Sequence, residues 1–185
     1  MSVQLLRRLF TVREYRQMVE AGILTKDDRV ELIKGEIVKM SPIGRRHAAC
    51  VKRLIRLFSQ RLGERAIVGA QDPVELSEES QPQPDLTLLQ PREDFYESGH
   101  PKPGDIFLIV EVADTVEADR LVKIPLYAEA VIPEVWLVDI NEGCVEVHRH
   151  PSGEGYGEVL KCRRGESAVV GAFADVSFTV DEVLG

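Results

Sequence analysis

The chain holds no apolar run of ten residues, whereas a membrane-crossing helix needs about 20. Its N-terminal stretch, MSVQLLRRLF, is equally short of a signal-peptide core, so a soluble, cytoplasmic protein is expected. Cysteine is scarce: Cys50, Cys144 and Cys162 lie far apart with no C-x-x-C pair, which argues against a disulfide frame or a zinc knuckle. His148 and His150 alternate on one predicted strand face, but no third ligand stands near them in sequence, so they do not make a metal site by themselves. A basic excess is also missing. With 23 basic and 31 acidic residues the net charge is −8, which counts against a protein coated for phosphate backbones.

What is present suffices for one domain, since 185 residues at 44% hydrophobic can bury a core but are too few for two. The chain is organised around residues 106–139. Ile106–Val110 is an unbroken apolar run rich in β-branched residues, as in a strand buried on both faces, and Glu111 follows it. A carboxylate there loses hydration at a cost of several kcal/mol unless a metal or a basic group pairs with it. A helical segment and a second apolar strand, 135–140, come next, an order that predicts parallel neighbours joined by a crossover.

Other elements are legible from local signals. Thr11 and Glu14 fit a capping box for a helix reaching Val19, with Gly22 as a stop. Residues 29–40 alternate around Lys34-Gly35 and predict a hairpin, with Glu31 in its first arm, where a solvated glutamate is the plain expectation. A helix over 45–62 gathers Val51, Leu54, Ile55, Phe58 and Leu62 on one face and Arg45, Arg46, Lys52, Arg53 and Arg56 elsewhere. Residues 45–65 carry a net +6 and the remainder −14, so a local basic face stands out on an acidic protein. Such a face is more often solvated surface than a nucleic-acid contact. His47 projects with the apolar side and reads most simply as a hydrogen-bonded core histidine.

Residues 67–76 read as a strand broken at Asp72-Pro73, and Pro84-Asp85 opens the next, 84–90. The loop 90–105 is long enough to suggest a lid or a substrate-facing element. In 116–130, Pro125 either kinks a helix or stands in the first turn of one beginning near Lys123; the second is preferred. Asp119 and Lys123 then form an ordinary i,i+4 pair. Residues 144–149 and 156–162 predict antiparallel strands around a turn at 152–155.

Asp85 at a strand start, Glu111 at a strand end and Lys123 beyond it are not required by the fold. Two carboxylates converging at a sheet rim can hold Mg²⁺ with waters retained, the Val112 carbonyl can add a ligand, and an adjacent ammonium can lower the pKa of a metal-bound water. That is equipment for phosphodiester hydrolysis.

The joint spacing of Glu31-Leu32-Ile33, Met40-Ser41-Pro42 with His47, Gln83-Pro84-Asp85-Leu86, Val110-Glu111-Val112, Asp119 with Lys123, Leu126-Tyr127, and Pro133-Glu134 with residues 136–139 resembles the Uma-type restriction endonucleases of the PD-(D/E)xK superfamily. The resemblance spans roughly residues 10–150. It implies an α/β, restriction-endonuclease-like mixed sheet core (αβββαβ, about 45–140) in a single domain, with an N-terminal helix and hairpin and C-terminal antiparallel strands. It also implies a nuclease using Mg²⁺ or Mn²⁺ on nucleic acid, DNA in the first place, and a homodimer. Asp85 and Glu111 would bind metal, Lys123 would serve the attacking water, and Glu31 would add a further carboxylate. The superfamily places its lysine two residues after the glutamate. Here that position is Ala113, and the resemblance moves the role to Lys123. The rival expectation is a catalytically silent binding module on the same fold.

Overall fold

The structure, a computed structural model, describes residues 6–114 and 116–185. Residues 1–5 of the N-terminal stretch, and Thr115, lie outside the described residues. Among those described, no helix is long and apolar enough to cross a membrane.

The chain opens with α1 (Val12–Glu20), whose Thr11 and Glu14 form the expected reciprocal cap. The hairpin β1 (Val30–Ile33) and β2 (Glu36–Lys39) turns at Lys34 and Gly35. Both have positive φ, the conformation a two-residue primed turn requires. Helix α2 (Arg45–Leu62) follows as predicted, and then β3 (Ile67–Gly69), β4 (Leu86–Leu89) and β5 (Ile106–Ala113). A π-helical turn, Asp119–Lys123, runs into α3 (Ile124–Glu129). The remaining elements are β6 (Glu134–Asp139), β7 (Cys144–Ser152), β8 (Gly155–Arg163), β9 (Ser167–Val170), β10 (Phe173–Thr179) and α4 (Val180–Leu184).

Six strands form one mixed sheet in the order β3-β4-β5-β6-β7-β8. Only β5 and β6 pair in parallel, as their helical connection requires; the other neighbours are antiparallel. The sheet therefore continues well past residue 140. The strand expected over 67–76 stops at Gly69 and is an edge strand, in keeping with the prolines that follow.

Side-chain alternation gives the sheet two different faces. Leu86, Leu88, Leu108, Val110, Val112, Trp136 and Val138 point toward α2, β9, β10 and α4 in one apolar cluster. Ile109, Ala113, Val135 and Leu137 point the other way, toward α3. Glu111, between Val110 and Val112, belongs to this second face.

Candidate active site

Because β4 and β5 are antiparallel with Leu86 opposite Val110, Asp85 arrives beside Glu111 at one rim of the sheet. The same pairing sends loop 90–105 to the opposite rim. It lines no part of the cleft described below, so the expectation of a lid does not hold.

Asp85 is fixed from two sides. Its Oδ2 accepts from the Val112 amide at 2.9 Å and lies 2.9 Å from His47 Nε2. His47 reaches it over the rim from the first turn of α2, so it serves the site rather than the core. The bond to Asp85 raises the His47 pKa, outweighing the lowering effect of burial.

Glu111 Oε1 accepts from Tyr127 Oη at 2.5 Å and pairs with Lys123 Nζ at 3.2 Å. Burial pushes the Glu111 carboxyl up to about 8, because Lys123 and Tyr127 only partly offset lost hydration and the nearby Asp85. For Lys123, burial alone would lower the pKa, but Glu111, Glu31 and Asp119 together raise it, so the ammonium stays charged. Tyr127 is raised well above its usual value by burial and then by Glu111, so it remains a neutral donor.

Two expectations are corrected here. Glu31 is buried, not solvated: Oε1 lies 3.5 Å from Lys123 Nζ and Oε2 accepts from the Gln83 amide at 2.9 Å. Lys123 is also not the partner of Asp119 in an ordinary helical pair. The helix begins before Lys123 and passes through a π turn in which the Ile124 amide donates to Asp119 O, five residues back. Pro125, which has no amide hydrogen, stands in the first turn of α3, as expected, but α3 continues a helical segment that already includes the π turn. The wider turn breaks the i,i+4 spacing and leaves Lys123 to bridge Glu111 and Glu31.

The site forms the floor of a cleft of about 810 Å³, lined among others by Glu31, His47, Asp85, Glu111, Asp119 and Lys123. The hairpin, the segment after α1 and residues 40–44 wall it in. Asp85 Oδ1 and Glu111 Oε2 make no hydrogen bond among the described residues. Cleft-facing carboxylate oxygens without protein donors suit a hard divalent cation, with the raised Glu111 pKa marking where a positive charge would replace a proton.

The basic stripe of α2 lies elsewhere. The apolar side of the helix packs on the sheet face opposite Glu111, which puts Lys52, Arg53 and Arg56 across the sheet from the cleft. Arg53 donates to Leu184 O at 2.7 Å, and Arg46 reaches Asn141 Oδ1 and Ile140 O at 2.8 and 2.9 Å. Arg45, at the helix start, adjoins Gly44 of the cleft wall in sequence, and Arg46 also lies 3.9 Å from the cleft-lining Asp114. Asp139, Glu142 and Cys144 form a separate group able in principle to hold an ion. Lys161 pairs with Glu142 at 2.5 Å and Arg120 lies 4.0 Å from Asp139, so cations of the chain already serve those acids.

Sequence reasoning gave Tyr127 no role; its spacing of four from Lys123, one turn on toward the same strand, was the available signal. Comparison with known proteins agrees with this architecture. No curated protein matches the chain. A crystal structure of "a putative nuclease belonging to DUF820" from Anabaena variabilis superposes with a TM-score of 0.74 at 16% identity, covering 95% of this chain and 97% of that one, a likeness of fold. A family model described as "Putative restriction endonuclease" matches residues 12–181, and the chain therefore belongs to that family, Uma2.

Proposed function

We propose that the protein is a nuclease dependent on Mg²⁺ or Mn²⁺ that hydrolyses phosphodiester bonds in DNA. The observation that carries this reading is the convergence of Asp85, Glu111 and Lys123 on one cleft floor, with Lys123 Nζ 3.2 Å from Glu111 Oε1. Asp85 and Glu111 would hold the ion, which supplies Lewis-acid stabilisation of charge at phosphorus when bound. His47 and the Val112 amide keep Asp85 oriented, and Tyr127 does the same for Glu111.

Lys123 stays an ammonium, so its part is to donate a hydrogen bond and positive charge to the attacking water or to the oxygens that gain charge, not to remove a proton. Glu31 shares in holding that ammonium over the floor. Lys123→Ala is expected to lower turnover by about 10²- to 10³-fold while metal affinity stays within a few-fold. Lys123→Arg should rescue poorly, since a planar guanidinium does not fit a pocket shaped for a compact ammonium. Cleavage of supercoiled and single-stranded DNA with Mg²⁺, Mn²⁺ or chelator tests this. Full activity in the alanine variant would remove Lys123 from the mechanism, and cleavage that persists in chelator would remove the metal.

A further inference from the structure

The floor of the cleft is nearly closed to solvent. Side-chain exposure is 3% for Glu111, 5% for Glu31, 13% for Lys123 and 14% for Asp85. A duplex presents its phosphates on the outside of a stiff, wide cylinder. A duplex also keeps its bases stacked inside, so a base can meet a cleft wall only where its strand is unpaired. The volume of about 810 Å³ lies within the range of about 300–1,000 Å³ typical of small-molecule sites.

The walls are of two kinds. Val38, Ile43 and Val122, 36%, 41% and 44% exposed, give the cleft an apolar side. Arg29, at the foot of the hairpin, also lines the cleft. Its backbone is held at φ +47°, in the left-handed region that side chains other than glycine rarely adopt. The Arg29 carbonyl accepts from the Met40 amide at 2.8 Å, so the conformation is built into the hairpin. Arg29 is half-buried, and its side chain has no hydrogen-bond or ion-pair partner among the described residues. A cleft-lining arginine without a partner suits recognition of an anion that comes with the ligand. The α2 stripe, across the sheet, cannot serve the same cleft.

Taking the nuclease reading as its premise, we propose that the cleft receives one unpaired nucleotide of a nucleic-acid strand, its base against the Val38, Ile43 and Val122 wall and an adjoining phosphate held by Arg29. The substrate class is thus single-stranded or locally opened nucleic acid, not intact duplex.

The test measures fluorescence anisotropy of a labelled single-stranded oligonucleotide and of the blunt duplex of the same sequence, with Ca²⁺ in place of Mg²⁺. The single strand should bind about tenfold or more tightly, the size expected for taking part of one base out of water against an apolar wall. Arg29→Gly should weaken that binding about tenfold, as loss of a charge-assisted hydrogen bond does, without lowering the melting temperature, since glycine accepts the positive φ freely. Val38→Asp should weaken it too. Equal affinity for duplex, no measurable binding of the single strand, or an Arg29→Gly protein that binds unchanged would each overturn the proposal. Cleavage of the same two substrates in Mg²⁺ separates the two ideas. Cleavage of both forms at equal rate sinks this one and leaves the nuclease, whereas Arg29-dependent binding of the single strand without cleavage under any metal sinks the nuclease alone.

Discussion

The two faces of the central sheet solve opposite physical problems with the same strands. Toward α2, alternate residues of β4, β5 and β6 meet mainly apolar partners, and Phe58, Trp136 and Phe178 interlock with ring centroids 4.8–6.3 Å apart. Glu134 is a buried exception that accepts from Trp136 Nε1 and Gly171 N and pairs with Arg149. That face stabilises by removing apolar area from water and by close packing. Toward α3, the intervening positions of the same strands carry Glu111, and Asp85 stands just ahead of β4. Glu31, Lys123 and Tyr127 are brought in over them, largely buried, and lost hydration raises the pKa of Glu111 and of Tyr127. Charges gathered in this way stabilise a fold poorly, and replacing such groups by apolar ones is often neutral or better. One face is almost wholly apolar. The other sets a cluster of buried charged groups beside an apolar cluster of its own.

The largest expected effect comes from breaking the apolar face. Phe58→Ala removes a ring fully buried between Trp136 and Phe178, and should cost about 3–5 kcal/mol of unfolding free energy. Urea unfolding would measure it. A loss under 1.5 kcal/mol, about that of a tolerated core swap, would mean that α2 is not the principal cover of the sheet.

The charged face should respond to a smaller change, and with a pH signature that the apolar face lacks. The folded-state pKa of Glu111 is raised from 4.5 to about 8. A carboxyl with a raised pKa binds its proton more tightly when folded, so its stabilising contribution is complete below about pH 4.5 and is lost as pH rises through about 8. Glu111→Gln keeps an acceptor for Tyr127 and never ionises. Relative to wild type in chelator, it should therefore gain stability between pH 5.5 and pH 8.5, by up to a few kcal/mol. Thermal unfolding at the two pH values reads the difference. A variant destabilised more at pH 8.5 than at pH 5.5 would show the Lys123 to Glu111 ion pair outweighing the burial of Glu111.

The same contrast explains which parts of this molecule were legible in the amino-acid sequence. Where one local rule suffices, reading and structure agree: the Thr11 cap, the Lys34-Gly35 turn, the amphipathic α2, and the apolar runs of β5 and β6. The candidate residues Asp85, Glu111 and Lys123 stood out because each is polar where the local pattern calls for apolar or neutral. What escaped depended on contacts distant in sequence. Glu31 sits in a hairpin arm that looks solvated until Gln83 and Lys123 are placed against it. His47 looks like a core residue until Asp85, 38 positions later, reaches the same rim. The π turn before Pro125 and the unpartnered Arg29 are backbone properties without a composition signal.

The smallest expected effect concerns the basic stripe, and it sharpens the comparison from the apolar side. Lys52 and Arg56 are exposed on α2, across the sheet from the cleft, and neither has an ion-pair partner among the described residues. Exposed charges of this kind contribute within about 0.5 kcal/mol to stability, so the double change Lys52→Ala with Arg56→Ala should leave unfolding almost unmoved. Its effect on nucleic-acid binding is the informative part. Each phosphate neutralised by a side chain adds about 0.7 to the slope of log K against log salt for a single strand. If the strand is held only in the cleft, the double variant should keep the wild-type slope, whereas Arg29→Gly should lower it by about 0.7. A drop of about 1.4 in the double variant would place phosphates on α2. The apolar face would then share in substrate binding through its outer side, and a nucleic acid would wrap from the cleft around the N-terminal end of α2, past Arg45.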